Sequence, residues 1–289
     1  FKAVFGAENV RLHYSAAELR AEGDADPNAF VSERWDAPII LTTAVQFFES
    51  LYSAKPSRAR KMHHVCGSVI VFDEAQMLPT AYLRPCVSGI CTLTEHFGCT
   101  AVLCTATQPS LDRLIAEFAP SADLLELCPP VYADAEVFRR VTYRFEGSLS
   151  DDALVARLRD TPRVLCIVNN RAEAQALYAA LPQEGSYCLT TLLTPHDRTA
   201  ALEAIRQRLS EGKVCRVVST SLVEAGVDLD FPCVYRAIAG LDSIVQAGGR
   251  CNREGRGTAA DRVVHVFVPE ASAPRRLTQN DGAAVRKSG

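Results

Sequence analysis

The chain has 289 residues, 48% of them hydrophobic and 22% charged, and its formal net charge is −3 at pH 7. This length and composition predict about two globular domains, each large enough to bury a hydrophobic core. The longest apolar run, near residues 65–72, is far too short to span a bilayer, so we predict no membrane partner. The acidic balance does not indicate a basic nucleic-acid-binding domain, but it leaves room for positive charge confined to one groove.

Cysteine usage bears on the compartment. The 11 cysteines include no Cys-x-x-Cys pair, and Cys86 and Cys91 are five residues apart, which is poor spacing for zinc. Most cysteines lie in apolar runs, as Cys104, Cys166 and Cys215 do. We therefore predict reduced, buried thiols in a cytoplasmic protein.

Short β-branched runs alternate with helical patterns, which predicts parallel α/β layers. In chain order the predicted elements are strand 39–43, helix 44–52, strand 68–72, helix 81–97, strand 100–105, helix 110–118, strand 136–145, helix 152–159, strand 163–168, helix 171–180, strand 187–193, helix 197–210, strand 214–220, strand 233–238, helix 243–249 and strand 262–268. Strand 68–72 is apolar throughout, which is typical of a sheet covered on both faces.

Residues 146–150 (Glu-Gly-Ser-Leu-Ser) predict a linker, and the alternation of strands and helices restarts after it. We therefore predict one α/β domain over 1–146, which begins partway through, a second over 151–270, and a linker or further domain over 271–289. Open α/β sheets bind ligands outside the carboxyl ends of their strands. Two facing units would therefore form a binding cleft.

The first candidate site follows the apolar strand 68–72, which ends in Asp73 and Glu74 and continues to Gln76. A carboxylate at such a strand end suits Mg²⁺ bound through water, and the next one suits orientation of an attacking water. The alternative is a pair of acids at an ordinary strand-to-helix turn. About thirty residues later, strand 100–105 ends in Thr105-Ala-Thr107, whose hydroxyls could hydrogen-bond the acidic turn or simply end a threonine-rich strand.

Two further candidates lie in the second half. Thr220 ends a strand and is followed by a turn with Gly226 and then Asp228, which suits close backbone approach and a ribose hydroxyl. An ordinary glycine-containing loop is the alternative. A basic segment then follows, Gln246-Ala-Gly-Gly249-Arg250-Cys-Asn-Arg253. Its two arginines are three residues apart and would share one face of a helix. Guanidinium groups match phosphate oxygens, although a plain surface basic cluster is the alternative.

The order of these four segments matches motifs II, III, V and VI of superfamily 2 helicases. Text beside the motifs resembles the CRISPR-associated type I helicase-nucleases more narrowly. That text comprises residues 4–15 (Val-Phe-Gly-Ala-Glu-Asn-Val-Arg-Leu-His-Tyr-Ser), 40–47 (Ile-Leu-Thr-Thr-Ala-Val-Gln-Phe), 73–79 (Asp-Glu-Ala-Gln-Met-Leu-Pro), 104–109, 136–140, 168–174 (Val-Asn-Asn-Arg-Ala-Glu-Ala) and 194–198 (Thr-Pro-His-Asp-Arg). The resemblance runs across nearly all of residues 1–270.

The resemblance implies an α/β fold of two tandem RecA-like domains with parallel sheets, the first truncated at its N-terminus. It implies a monomeric, ATP- and Mg²⁺-dependent 3′-to-5′ translocase on single-stranded DNA, recruited by an RNA-guided CRISPR surveillance complex and linked to an HD nuclease. The implied catalytic residues are Asp73 (which also holds the metal), Glu74, Gln76, Arg250 and Arg253. Gln246, Gly226, Asp228 and Gly249 would bind the nucleotide, Thr105 and Thr107 would couple the motifs, and Thr42, Thr43, Asn169, Arg171 and Thr220 would contact the DNA backbone.

The chain departs from the family in two ways. It contains no Gly-x-x-x-x-Gly-Lys-Ser/Thr phosphate loop, which we expect upstream of Phe1, so this segment alone should be a poor ATPase. Gln76 stands where many family members have histidine, which leaves its role open.

Two histidine pairs have simpler interpretations than a metal site. His196-Asp197 follows Pro195 and is predicted to start a helix, and His63-His64 is predicted to lie in a solvated basic loop. Two alternatives to the main hypothesis stay open: another superfamily 2 motor of restriction or repair, or a catalytically inert nucleic-acid-binding fragment.

Overall fold

The structure is a computed structural model that describes residues 1–13, 35–105, 111–128, 139–224 and 227–270. Contacts divide the chain into two compact units, Phe1–Leu125 and Glu126–Gly289. Within the described ranges, no helix is both long and apolar enough to cross a membrane.

The first unit contains two parallel strand pairs and several helices. Its elements are α1 (Lys2–Phe5), β1 (Val10–His13), β2 (Ile39–Thr42), α2 (Ala44–Leu51), α3 (Pro56–Ala59), α4 (Met62–Val65), β3 (Val69–Phe72), α5 (Leu83–His96), β4 (Thr100–Leu103) and α6 (Asp112–Phe118), with 3₁₀ turns at Ala75–Met77 and Thr80–Tyr82. Strand β1 pairs with β2, and β3 pairs with β4, both in parallel.

An aromatic cluster forms the main core of the first unit. Phe47 and Phe48 on α2 meet Phe72 at the end of β3, with ring centroids 5.5 and 5.8 Å apart. On the opposite face of β3, Val69 and Val71 are 66% and 59% exposed. The prediction that this strand is covered on both faces is therefore wrong, because alternate side chains of a strand point to opposite faces and only one face packs on the aromatic core.

The second unit is built on one parallel sheet of six strands in the order β5-β10-β9-β6-β8-β7. Its elements are β5 (Thr142–Leu149), α7 (Asp151–Asp160), β6 (Arg163–Ile167), α8 (Arg171–Ala180), β7 (Ser186–Leu189), α9 (Pro195–Ser210), β8 (Cys215–Ser219), a 3₁₀ turn (Ser221–Val223), β9 (Cys233–Ala237), α10 (Leu241–Gly248) and β10 (Val263–Pro269).

Helices cover both faces of this sheet. Along β6, Val164 and Cys166 face one core with Leu154 of α7, whereas Leu165 faces the other core with Ile205 of α9. All five side chains are at most 1% exposed. Such burial on both faces is the usual reason that strands of a parallel sheet are apolar throughout, so the α/β fold predicted from the sequence is confirmed here.

The predicted linker at 146–150 is a strand. Residues Thr142–Leu149 form β5, which pairs with β10, and Gly147 adopts a φ of 70° where the register shifts between Val266 and Val268. The glycine therefore marks a β-bulge rather than a chain break. Because β5 belongs to the six-stranded sheet, the compact units divide at Leu125, not at 146–151; residues 136–138 and 271–289 lie outside the described ranges.

The cysteines are all free, but they are not uniformly buried. Cys66, Cys104 and Cys128 are exposed, which corrects the prediction for Cys104. Cys104 lies just after the end of β4, so its side chain is not packed in the sheet as those of the preceding apolar residues are. By contrast, burial raises the pKa of the Cys215 and Cys233 thiols to about 11.

Glu146 links three elements of the second unit. Arg157 of α7 donates to its Oε2 at 2.6 Å, and Nδ1 of His265 on β10 lies 2.6 Å from its Oε1. The Arg157 hydrogen bond, and then that of His265, holds the pKa of the Glu146 carboxyl below its usual value. The ionised carboxylate therefore stabilises the folded unit.

We predict that this stabilisation is lost in acid. It is complete above the ordinary glutamate pKa of about 4.3 and disappears as the pH falls through the lower pKa of the folded state. The free energy of unfolding, measured with urea across pH, should exceed that of Glu146→Gln by an amount that is largest above about pH 5 and shrinks below it. A difference that is constant down to strongly acidic pH would contradict this role.

Candidate functional site

The acid pair lies where predicted, immediately after β3. Asp73 and Glu74 are both exposed, and Oδ1 of Asp73 accepts a hydrogen bond from the Glu74 backbone N–H at 3.1 Å. Glu74 adopts a left-handed φ of 54°, and the Gln76 amide donates to its Oε2. The strained turn and the Gln76 contact fix the Glu74 carboxylate at the carboxyl edge of the strand.

The end of β4 is tied to this acidic turn through the backbone. The Cys104 N–H donates to the Phe72 carbonyl, and the Ala75 N–H donates to the Cys104 carbonyl, each at 2.9 Å. The backbone of Cys104 therefore joins the end of β4 to the acidic turn. Coupling of the two segments through Thr105 and Thr107 stays a prediction. Thr105 is half-buried next to it, whereas Thr107 lies outside the described residues.

Two predicted nucleic-acid residues of this unit have local roles at the end of β2. The Thr42 hydroxyl donates to the His13 carbonyl at 2.8 Å. The Thr43 hydroxyl caps α2 by accepting from the Gln46 N–H at 3.2 Å, and Thr43 is exposed. The N-terminus of α2, which is the positive end of the helix dipole, therefore lies next to the exposed hydroxyl of Thr43.

In the second unit, the segment after β8 turns back into the protein. Thr220 is only 8% exposed, and its N–H donates to the Leu189 carbonyl at 3.2 Å. This burial gives its side chain little access to a nucleic acid. Gly226 lies outside the described residues, while Asp228 is exposed.

The two arginines of the basic segment differ sharply. Helix α10 ends at Gly248, and Asn252 then adopts a left-handed φ of 57°, so the arginines do not share a helix face as predicted. Arg250 is 7% exposed and donates to the Val223 and Glu224 carbonyls at 2.8 and 2.6 Å. Arg250 therefore anchors the segment after β8 to the end of α10.

Arg253 is the accessible arginine, and it lies against another predicted site residue. Its Nε is 2.6 Å from Oδ1 of Asp228, and its side chain is 44% exposed. Its backbone N–H donates to Oδ1 of Asp230 at 2.7 Å. The structure thus brings Asp228 and Arg253 together on one exposed surface, where Arg253 is available to a phosphate and Asp228 to a hydroxyl.

Asn252 fixes this arrangement and was missed by sequence reasoning. It is 2% exposed, and its amide donates to the Arg140 and Gly257 carbonyls, both at 2.8 Å. Its left-handed backbone turns the chain so that its neighbour Arg253 faces solvent. An asparagine between two arginines was the available signal, since asparagine is enriched at left-handed positions.

The glycines of the basic segment allow close packing. A β-carbon on Gly248 would lie 2.1 Å from the Tyr143 hydroxyl of β5, and one on Gly249 would lie 3.2 Å from the Gln246 carbonyl. Gln246 is half-buried on α10, and Gly249 is exposed. A side chain at Gly248 would therefore be more crowded than one at Gly249, the glycine for which the sequence predicted a nucleotide contact.

The end of β6 carries the other predicted nucleic-acid residues. The Asn169 amide donates to the Ile238 carbonyl at 2.9 Å, and its Oδ1 accepts from Arg236 at 2.7 Å. Asn170 caps α8 by accepting from the Glu173 N–H at 2.8 Å. Arg171 follows at the first position of α8 and is exposed. Arg171 therefore stands beside a helix N-terminus, which suits a phosphate.

A buried ion pair, also missed by sequence reasoning, lies beneath these loops. Nε of Arg236 is 2.9 Å from Oε1 of Glu224, and the two side chains are 3% and 6% exposed. Burial raises the pKa of the Glu224 carboxyl, while Arg236 and a hydrogen bond from Ser243 oppose that shift. A charged strand residue within an apolar run was the available signal, because a buried charge requires a partner.

The two histidine pairs lie in helical segments. The Asp197 N–H donates to the Thr194 hydroxyl at 3.1 Å, and that hydroxyl donates back to Asp197 at 2.7 Å. The prediction that Asp197 serves the start of a helix is confirmed, since this is a reciprocal helix cap. His63 and His64 are exposed, but they lie on α4 rather than in a loop. Across the described ranges, no three potential ligands cluster in a way that would hold a metal ion.

The six-stranded parallel sheet with helices on both faces defines the class as an α/β protein with a RecA-like fold. This chain is similar to the crystal structure of T. fusca Cas3, with a TM-score of 0.69 and 20% sequence identity. The match covers 96% of this chain and 39% of the T. fusca chain. The Mycobacterium smegmatis helicase Lhr bound to ssDNA and AMP-PNP matches with a TM-score of 0.57 at 15% identity, covering 91% of this chain and 35% of that one.

Sequence comparison narrows the class. Residues 160–256 match the family described as CRISPR-associated nuclease/helicase Cas3, C-terminal. The CRISPR-associated nuclease/helicase Cas3 of Haloferax volcanii is 27% identical, with 81% of this chain and 35% of that protein covered. The chain is thus Cas3-like in sequence and in fold, which confirms the resemblance, and it spans about a third of the length of that relative.

The different environments of the two arginines predict different effects on stability. Arg250→Ala would leave the buried Val223 and Glu224 carbonyls without donors, at about 1–3 kcal/mol each. We expect urea unfolding to show a loss of about 2–4 kcal/mol for Arg250→Ala. Arg253→Ala breaks only an exposed ion pair and should cost less than about 1 kcal/mol. Equal losses for the two variants would contradict this assignment.

Proposed function

We propose that this chain carries the ATP-hydrolysing and nucleic-acid-binding core of a CRISPR-associated type I helicase. In the complete protein it would move 3′-to-5′ along single-stranded DNA and supply the strand to a linked HD nuclease. The observation that carries the proposal is the exposed Asp73–Glu74 pair at the carboxyl end of β3, held by backbone hydrogen bonds to the end of β4. The Cas3-like sequence favours this helicase over a restriction or repair motor.

The acid pair fits a Mg²⁺–nucleotide complex. Mg²⁺ usually retains several waters and takes one or two carboxylates plus substrate phosphates, and the exposed Asp73 offers such a ligand. When bound, Mg²⁺ would neutralise charge on the phosphates. Glu74 would orient the attacking water, and Gln76, which donates to Glu74, would hold that carboxylate in place. The phosphate loop that completes such a site is expected outside this segment.

The second unit would supply the remaining nucleotide contacts. Arg253 is exposed and would stabilise negative charge on the transferred phosphoryl group, while Asp228 next to it would accept a ribose hydroxyl. The ion pair between Arg253 and Asp228 orients both side chains. Gln246 and Gly249 would lie beside them, and Arg250 would act through its hold on the Val223 and Glu224 carbonyls.

The nucleic-acid contacts would be made mainly to phosphates. Thr43 and Arg171 are exposed at helix N-termini, where backbone N–H groups and the helix dipole favour anions. Phosphate contacts of this kind confer affinity without sequence specificity. Sequence selection would instead come from recruitment by an RNA-guided CRISPR surveillance complex.

The first test is ATP hydrolysis by the complete protein with and without single-stranded DNA. We predict that DNA stimulates hydrolysis, and that Glu74→Gln abolishes turnover but leaves ATP binding intact, because glutamine cannot act as a base while it retains the size of the side chain. Binding is measured separately with a fluorescent ATP analogue.

The matched control is Glu49→Gln, which alters an exposed acid on α2 that pairs with Arg58. It should leave turnover unchanged. Near-normal turnover in Glu74→Gln would remove Glu74 from the mechanism. The absence of any DNA-stimulated hydrolysis in the complete protein would favour the inert binding fragment instead.

Arg253→Ala should reduce the rate of hydrolysis by about 10³ or more, the usual value of an arginine that stabilises phosphoryl transfer. Arg256→Ala is the control, since Arg256 is also exposed and pairs with a neighbouring acid, Glu254. A loss below about threefold for Arg253→Ala would assign the role to another cation.

A further inference from the structure

The buried ion pair of the second unit joins the loops that follow β6 and β8 to strand β9. Arg236 lies on β9, Glu224 follows β8, and Asn169 follows β6. Nε of Arg236 is 2.9 Å from the Glu224 carboxylate, and Nη1 donates to Oδ1 of Asn169 at 2.7 Å and to the Ala237 carbonyl at 2.8 Å. One guanidinium on β9 therefore contacts both loops.

The same acidic residue is also held from α10. The Ser243 hydroxyl hydrogen-bonds the Glu224 carboxylate, and Arg250 donates to the Glu224 backbone carbonyl at 2.6 Å. Glu224 is 6% exposed, so its charge is compensated within the protein rather than by water. Its loop is thus fixed through the side chain at the start of α10 and through the backbone at the end of α10.

These two loops and α10 lead to different parts of the proposed site. Asn169 is followed by Arg171, a proposed contact to nucleic acid. Glu224 precedes Asp228, and α10 precedes Arg253, both of which are proposed nucleotide contacts. Arg236 and Glu224 are buried beneath these segments, so they are positioned to act through the loops they join.

We propose that the Glu224–Arg236 ion pair is a positioning element that couples nucleic-acid binding at the end of β6 to the nucleotide-side residues Asp228 and Arg253. The coupling rests on the proposed function. A discrete, fully desolvated contact suits this task, because it holds the loops in one arrangement and must be disrupted if they move separately.

The test uses the complete protein with the double variant Glu224→Gln/Arg236→Gln. Removing one partner alone would leave an uncompensated buried charge, whereas replacing both keeps the interior neutral. We expect the variant to fold with a lower melting temperature, because Asn169 and Ala237 lose their donor. The stimulation of kcat by single-stranded DNA should fall by at least about fivefold, the lower end of usual site-to-site couplings, with the KM for ATP little changed.

A second variant guards against misfolding of the first. Arg236→Lys keeps the positive charge beside Glu224, but a single ammonium cannot reproduce the planar fork that reaches Glu224, Asn169 and Ala237 together. It should lose stimulation by DNA while the protein still unfolds in one cooperative thermal transition. The control is Glu146→Gln/Arg157→Gln, which neutralises another ion pair of the same unit away from these loops and should leave stimulation unchanged.

The outcomes separate the two proposals. A parent protein with no DNA-stimulated hydrolysis would contradict the proposed function and the coupling with it. A stimulated parent whose Arg236→Lys variant is folded and equally stimulated would overturn the coupling alone. Lost stimulation in Arg236→Lys, with the control pair unaffected, would support it.

Discussion

Parallel pairing of the strands determines where the candidate functional residues of this chain lie. Every strand pair of the described residues is parallel, so within each unit the carboxyl ends of the paired strands open on the same edge. Asp73 leaves β3 at such an edge in the first unit, and the loops that begin at Asn169 and Thr220 leave β6 and β8 in the second. Within each unit, short loops that are far apart in sequence therefore lie at the same edge of the sheet.

In the second unit, some polar side chains of these loops are buried and join the loops together, whereas others face solvent. Arg236 is buried against a carboxylate of opposite charge, and Arg250 donates to backbone carbonyls that would otherwise be costly to bury. Arg253 faces solvent beside Asp228, because the left-handed Asn252 turns the chain between the two arginines. The buried arginines join the loops to one another, and the exposed Arg253 remains accessible to solvent.

Much of the fold was predictable, because alternating apolar strands and capped helices leave strong local signals, and helix α8 has the bounds that the sequence predicts. The bulged strand β5 was not, since Gly147 and its polar neighbours resemble a linker until β10 is seen to pair with them. The acid pair after β3 was predictable from one strand. The Glu224–Arg236 pair was not, because its partners come from different strands and only tertiary packing brings them together.

The central claim is that nucleotide chemistry and nucleic-acid binding at these strand ends drive movement along a strand. It is tested most directly by displacement of streptavidin from biotinylated single-stranded DNA by the complete protein. We predict displacement from the 5′ end, in keeping with 3′-to-5′ movement, with ATP but not with a non-hydrolysable analogue. ATP hydrolysis without displacement from either end, or displacement that proceeds with the analogue, would contradict the account.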